Sequence, residues 1–229
     1  MLKAAQRTGR PVLIMSLPGN SPELCRAAFD SGADVVKVHI NVEHRASGTH
    51  FGSFEEEKAV LREMLGERKG PMGLVPGGSP EAVRRDLEAA SELPFSFYSV
   101  YAHHMPASAL LCGVPLMAAC DGSYSLEEIR QMPGLGCDVL EASIMPGSEY
   151  GQPLTMRDLV RYHLITRSVS VPVVVPTQRA ILPEEVPILA KCRVAGVMIG
   201  AVVTGREKES MVRAIRAFRR AIDAIEMKG

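Results

Sequence analysis

The sequence predicts an α/β protein with a single (β/α)8 barrel, or TIM barrel, domain over residues 1–229. Eight short apolar runs alternate with segments that begin like helices, and no linker or low-complexity break separates them. A chain of 229 residues suits one barrel of this kind. The alternative is an open doubly wound sheet, but the turn at residues 17–22, LPGNSP, lacks the glycine-rich pattern typical of that fold. The predicted strands are residues 12–17, 34–40, 72–75, 95–102, 115–120, 139–145, 171–175 and 196–203.

Helix-start signals follow most of these runs. Ser21 and Ser79 each precede a proline, which is the typical arrangement of a capping hydroxyl before the first helical position. Four further hydroxyl residues have an acidic residue three positions later, as in a capping box: Ser53, Ser125, Thr155 and Thr204. The fourth unit is the weakest, because residues 107–112 scarcely form a helical pattern.

Composition excludes several classes of function. The chain carries 26 basic and 26 acidic residues, so nothing favours a nucleic-acid or membrane partner. Its longest apolar runs are strand-sized, and no secretory signal is recognisable at the start. The five scattered cysteines never occur as C-x-x-C, which favours reduced thiols and a cytoplasmic protein. A small-molecule substrate is therefore the expected partner, and assembly into a homo-oligomer stays open.

The run at residues 34–41, DVVKVHIN, is the most informative stretch. Strand alternation places Lys37, His39 and Asn41 on one face, in a position where a buried parallel strand normally carries only apolar residues. In a barrel, functional groups lie at the C-terminal ends of the strands. We therefore expect this face to line a cavity.

Lys37 and Glu141 form the sharpest candidate pair. By alternation Glu141 shares a face with Ser143, so both charges can point into the barrel and neutralise each other, a substrate or an ion. A lysine in such a place can form a Schiff base or hold an enolate. A purely structural ion pair is the alternative interpretation.

Histidines and one aspartate extend the catalytic candidates. His39 and either His103 or His104 suit general acid or base chemistry, and the adjacency of the last two suggests that only one faces inward. Asp121 ends the fifth strand. With Asp121 and Glu141 the histidines can also supply a divalent metal site, but no ligand spacing is present, so we assign no metal ligand and expect no cofactor.

Four regions are candidates for binding an anion: the loop 41–53, the loops after the last two strands, and the glycine-containing turn PGGS at residues 76–79 that opens the third helix. The long loop 41–53 has the composition of a lid that closes through Arg45. The loops after the last two strands offer backbone amides and a cation, as do many barrel phosphate sites. Their candidate residues are Gln178, Arg179, Gly200, Thr204 and Gly205; Asn41 and Ser143 complete the predicted substrate contacts.

Two segments resemble the ribulose-phosphate-binding barrel superfamily: GVMIGA at residues 196–201 and AAFDSGADVVKV at residues 27–38. That resemblance implies a phosphorylated sugar or related acid as substrate, and aldolase, decarboxylase, epimerase or isomerase chemistry. The seventh strand ends in PTQR at residues 176–179 instead of a Gly-Gly turn. Neither the acidic-lysine-acidic motif of orotidine phosphate decarboxylases nor the paired His/Asp pattern of pentose-phosphate epimerases is present.

Together these patterns predict an enzyme for a small phosphorylated or anionic carbonyl compound. Lyase (aldolase) and isomerase or epimerase chemistry both suit a lysine that lines the barrel. Two alternatives remain: a metal-dependent hydrolase or lyase that uses the loop histidines, and a barrel that binds a metabolite without catalysis.

Overall fold

The computed structural model describes residues 1–226, and its eight parallel barrel strands form a closed cylinder. The predicted (β/α)8 barrel is therefore confirmed. The strands in this part of the chain are β1 (Val12–Ser16), β2 (Val35–His39), β3 (Val42–His44), β4 (Thr49–Phe51), β5 (Met72–Val75), β6 (Phe97–Tyr101), β7 (Leu116–Cys120), β8 (Val139–Ala142), β9 (Val173–Pro176) and β10 (Gly196–Ile199).

Around the cylinder the strand order is β1-β10-β9-β8-β7-β6-β5-β2, and β2 closes it by pairing with β1. All neighbouring barrel strands are parallel, so their C-terminal ends share one rim. The antiparallel pair β3–β4 stands apart as a hairpin. Strands β2 and β8 are four places apart in either direction, so they face each other across the barrel.

The helices are α1 (Leu2–Thr8), α2 (Pro22–Asp30), α3 (Phe54–Glu67), α4 (Pro80–Ala90), α5 (Leu126–Gln131), α6 (Met156–Ser168), α7 (Val186–Lys191), α8 (Ala201–Thr204) and α9 (Lys208–Asp223). Five of the six predicted caps are confirmed, each accepting a backbone N–H at the start of its helix: Ser21, Ser53, Ser79, Ser125 and Thr155. None of the helices in residues 1–226 has the length and apolar character needed to cross a membrane.

The predicted cap at Thr204 is wrong. Thr204 ends the short helix α8, and its hydroxyl donates to the carbonyl of Gly205, 2.8 Å away. Gly205 has φ 66°, a left-handed value that interrupts the helical path, and Glu207 is the N-cap of α9. The predicted strand 196–203 is also too long: it ends at Ile199, because the rest of the apolar run enters α8, which begins at Ala201.

Two loops also differ from a plain barrel unit. The predicted long loop 41–53 contains the β3–β4 hairpin. After β6 the chain forms only a 3₁₀ turn, Ala107–Leu111, which agrees with the weak helical pattern there.

An apolar plug fills the N-terminal half of the barrel. Inward-facing side chains of several strands pack together there with Ala5 of α1: Val12, Ile14, Val35, Met117, Val174 and Met198. Phe97 fits beside them because Gly73 has no side chain; a Cβ on Gly73 would lie 2.1 Å from the Phe97 ring. The polar inward-facing residues are therefore confined to the C-terminal half.

Candidate functional site

A cavity of about 1030 Å³ opens at the C-terminal ends of the strands. Every barrel strand contributes to its lining, as the residues Ser16, Lys37, Val75, Ser99, Ala119, Glu141, Pro176 and Met198 show. The cavity lies above the apolar plug, which is the usual place for chemistry in this fold.

Lys37 and Glu141 meet across the barrel interior. Lys37 Nζ on β2 donates to Glu141 Oε2 on β8 at 2.9 Å, and both residues are 5% exposed. The two oxygens of Glu141 also accept from hydroxyls: Ser99 Oγ lies 2.9 Å from Oε2, and Ser143 Oγ lies 2.8 Å from Oε1. The structure thus brings together the predicted pair Lys37–Glu141 and Ser143.

The pKa of Glu141 lies below its ordinary value. Burial raises this pKa, but the charge and hydrogen bond of Lys37 and the hydroxyls of Ser143 and Ser99 lower it by more. Glu141 is therefore a carboxylate at neutral pH, and it can accept a proton. Because the pair is fully enclosed by protein except on the cavity side, its interactions are stronger than those of an exposed pair.

His39 lies beside this pair, under the β3–β4 hairpin. Its ring is 4.7 Å from that of His44 and 4.9 Å from that of Phe51 (centroid distances), and its Nδ1 has no hydrogen-bond partner within the described residues. Burial, His44 and Lys37 hold the pKa of His39 well below its usual value. Burial and Lys37 lower the pKa of His44 to about 4. Both rings are neutral at pH 7 and can accept a proton.

His103 and His104 both line the cavity, so the expectation that only one faces inward is wrong. They follow the end of β6 in a turn, closed by the His104 N–H donating to the Tyr101 carbonyl at 2.8 Å, where strand alternation no longer applies. His103 is exposed, and its Nδ1 lies 3.2 Å from the Tyr124 hydroxyl. His104 is more buried, and burial lowers its pKa.

Asp121 faces the same side of the cavity. It accepts from the Ser123 hydroxyl at 2.5 Å and from the Ser123 N–H at 2.9 Å, and these bonds lower its pKa. Residues 1–226 contain no group of three His, Cys, Asp or Glu side chains arranged to hold a metal ion.

The predicted anion contacts are only partly brought to the cavity. Arg45, Gln178, Arg179 and Gly200 line it. Arg179 already pairs with Asp158 (Nε to Oδ2, 2.9 Å) and with Glu149. The Gln178 amide connects loops: Nε2 donates to the Ser143 carbonyl and the Tyr150 hydroxyl, and Oε1 accepts from Met145 N–H. The Gly200 N–H donates to Thr177 Oγ1 at 3.1 Å.

Three predicted contacts lie outside the cavity lining: Asn41, Thr204 and Gly205. Asn41 follows the end of β2 with φ 52°, so alternation does not carry over to it. Its side-chain nitrogen donates to Asp86 at 2.7 Å and to the Pro76 carbonyl at 3.1 Å. Thr204 ends α8, and Gly205 follows it as the C-cap.

Several further residues that were not predicted from the sequence also line the cavity: Ser99, Tyr101, Tyr150, Arg157 and Arg161. Ser99 and Tyr101 alternate along β6, so the pattern applied to β2 would have found them. Arg157 and Arg161 lie on α6, where two arginines four residues apart look like an ordinary solvated face.

No family model matches the sequence, and no curated protein matches it. Solved structures do. The tryptophan synthase A-subunit from Pyrococcus furiosus is 15% identical with a TM-score of 0.67, covering 93% of this chain and 98% of that one. Thiamine phosphate pyrophosphorylase from P. furiosus is 17% identical with a TM-score of 0.64, covering 95% and 97%. A candidate fructose-1,6-biphosphate aldolase from Coccidioides immitis is 14% identical with a TM-score of 0.66, covering 97% and 93%.

The shared feature is the (β/α)8 barrel. These likenesses show the fold alone, and no single family is identified.

Proposed function

We propose that this protein is an enzyme that acts on a small phosphorylated or otherwise anionic carbonyl compound, as a lyase of the aldolase type or as an isomerase or epimerase. The observation that carries the proposal is the Lys37–Glu141 pair, buried and hydrogen-bonded at 2.9 Å on the floor of an open cavity. Buried ion pairs contribute little to net stability, because desolvation offsets their attraction. A pair that faces a cavity able to admit a substrate is therefore better explained by function.

Lys37 is placed to act on a carbonyl group. As an ammonium it stabilises the negative charge that develops on the carbonyl oxygen when a neighbouring C–H or C–C bond breaks. If Lys37 first transfers a proton to Glu141, the free amine can attack the carbonyl carbon and, with loss of water, form a Schiff base. Either route uses side chains of this chain alone.

Glu141 and His39 are the proposed proton acceptors. Glu141 is ionised and oriented by Ser99 and Ser143, so its oxygens stay fixed while Lys37 engages the substrate. His39 is neutral because its pKa is low, and its ring also lines the cavity. Asp121 and His103, which follow β7 and β6 on the same rim, are proposed to handle a second proton.

The names of two similar proteins, a thiamine phosphate pyrophosphorylase and a candidate fructose-1,6-biphosphate aldolase, support an anionic substrate. The first experiment is thermal unfolding against phosphorylated sugars, the matching unphosphorylated sugars and inorganic phosphate. A ligand that binds the native state raises the midpoint by mass action. We expect a shift with the phosphorylated carbonyl compounds and none with their unphosphorylated partners.

Substitution of Lys37 tests the mechanism. We expect Lys37→Met to lower turnover of the compound found in that screen by about a thousandfold or more, as loss of a charge that stabilises the transition state does. If the Schiff-base route operates, borohydride treatment of the wild-type enzyme with substrate should reduce the Schiff base to a secondary amine. The substrate then stays bonded to Lys37 and increases the mass of that residue. The variant's circular dichroism should match that of the wild type. Full activity in the Lys37→Met protein would exclude the proposed chemistry.

A further inference from the structure

We infer that the anionic end of the substrate is bound by three arginines, Arg45, Arg157 and Arg161, and not by the turns that follow β9 and β10. We call these three side chains the arginine rim. The inference rests on the proposed function for the nature of the substrate, whereas the side-chain positions that define the binding site do not depend on it.

Arg157 and Arg161 lie in the first two turns of α6, the helix that follows β8. Their spacing of four residues places them on one face of the helix, and both line the cavity. Neither forms an ion pair or a side-chain hydrogen bond to any residue of 1–226. Arg161 reaches over the loop after β7: a Cβ on Gly122 would lie 3.5 Å from Arg161 Nη2.

Arg45 lies in the turn of the β3–β4 hairpin, not on α6. Its guanidinium occupies the space that a side chain on Gly147 would fill, since a Cβ there would lie 1.7 Å from Arg45 Nη1. Its positive charge acts on the Tyr150 hydroxyl, countering the rise that burial causes in the pKa of Tyr150. Gly147 and Tyr150 precede α6 in the same loop, so Arg45 lies on the α6 side of the cavity.

The other cavity groups that could bind an anion, and the nearby carboxylates that could neutralise the rim, already have partners. Arg179 is neutralised by Asp158 and Glu149, and the Gly200 N–H is used by Thr177. Among the acidic residues, Asp121 is held by Ser123. Glu43 pairs with His50 at the exposed edge of the hairpin.

The arginine rim therefore has cationic donors available that the β9 and β10 turns lack. A guanidinium group can donate two parallel hydrogen bonds to the oxygens of one phosphate. These charge-assisted bonds are stronger than the bonds that neutral donors form. Three of them around one opening favour a dianionic phosphoryl group over a single carboxylate. Because the hairpin supplies Arg45, binding of the anion would also hold the hairpin against α6.

The test measures binding of inorganic phosphate by calorimetry and by thermal unfolding in the full chain. We expect Arg157→Gln and Arg161→Gln each to weaken binding about tenfold, the effect of one charge-assisted hydrogen bond. Gly147→Ala should also weaken binding, although it removes no charge, because its methyl group displaces Arg45. Arg167→Gln is the matched control: Arg167 is exposed on the same helix and lies outside the cavity lining. Acetate should bind at least about tenfold more weakly than phosphate.

Several results would overturn the inference. These are unchanged phosphate binding in the double variant Arg157→Gln/Arg161→Gln, equal losses in Arg167→Gln, or loss of binding only in Gly200→Val. Equal affinity for acetate would overturn the preference for a dianion. The Lys37→Met protein should still bind phosphate. Phosphate binding at the rim without turnover of any carbonyl compound would refute the proposed function and leave the rim intact, whereas turnover unaffected by the arginine variants would refute the rim alone.

Discussion

Ser99 and Ser143 donate one hydrogen bond each to the two oxygens of Glu141, and these bonds help to hold the carboxylate ionised. Removing one donor should raise the pKa of Glu141, because the charged form loses a stabilising contact. For Ser99→Ala we expect the acidic limb of the pH–rate profile to move up by about one unit, the equivalent of one hydrogen bond to a charged group.

The same profile for Ser108→Ala, at an exposed serine outside the cavity lining, should match the wild type. An acidic limb that stays in place in Ser99→Ala would mean that Glu141 does not set it. A proportional loss of activity at every pH would instead point to a purely structural effect of the hydroxyl.

Individual cavity-lining residues could be predicted from the sequence where strand alternation determines the direction of the side chain. Lys37, His39, Glu141 and Ser143 were found in this way, because all lie within or directly after regular strands. Asn41 was misplaced because a left-handed backbone follows β2. The pairing of Arg179 with Asp158 and Glu149 was not predictable, since it joins residues that only the folded loops bring together.

Among the helices, α3 offers a clear test of the capping signals. Ser53 Oγ accepts from the Glu56 N–H at 3.4 Å, and the Glu56 carboxylate accepts from the Ser53 N–H at 2.7 Å. Ser53→Ala should lower the free energy of unfolding by about 1 kcal/mol, since one N–H at the helix start loses its acceptor. Urea unfolding measures this loss. Ser170→Ala, at an exposed serine outside the helices, is the control and should stay within about 0.5 kcal/mol of the wild type.

Element boundaries were predictable where turn residues mark them and not where apolar runs continue. Serine–proline and capping-box patterns located the starts of α2 to α6. The run at residues 196–203 covers β10 and most of α8, and the period of the apolar residues cannot distinguish two such short elements. The hairpin within residues 41–53 was missed because its strands are only three residues long.

For the molecule as a whole, eight alternating units were enough to predict a closed barrel, and closure then places β2 opposite β8. That arrangement explains how two residues 104 positions apart, Lys37 and Glu141, come to share one hydrogen bond. The arginine rim does not follow from strand order. It depends on how α6 and the hairpin lie above the barrel, and on Gly147, which leaves space for the guanidinium of Arg45.

One buried and one half-buried histidine make the stability of the whole molecule depend on pH. His39 and His44 are neutral in the folded protein because their pKa values are lowered, that of His44 to about 4. The unfolded chain, with histidine pKa values of about 6.5, binds more protons than the folded chain below that pH. Stability is therefore fully present above pH 6.5 and falls as the pH drops towards 4, by up to about 2 kcal/mol per histidine at pH 5.

Urea unfolding between pH 7.5 and 5 measures this loss before most carboxylates become protonated. The groups that face the two rings are Lys37, which opposes their protonation, and Glu141, which favours that of His44. His44→Asn should reduce the loss of stability between pH 6.5 and 5, because asparagine binds no proton in either the folded or the unfolded chain. His163→Asn, at an exposed histidine on α6, should leave it unchanged. A His44→Asn protein that loses stability with pH as steeply as the wild type would show that His44 is not held neutral by the fold.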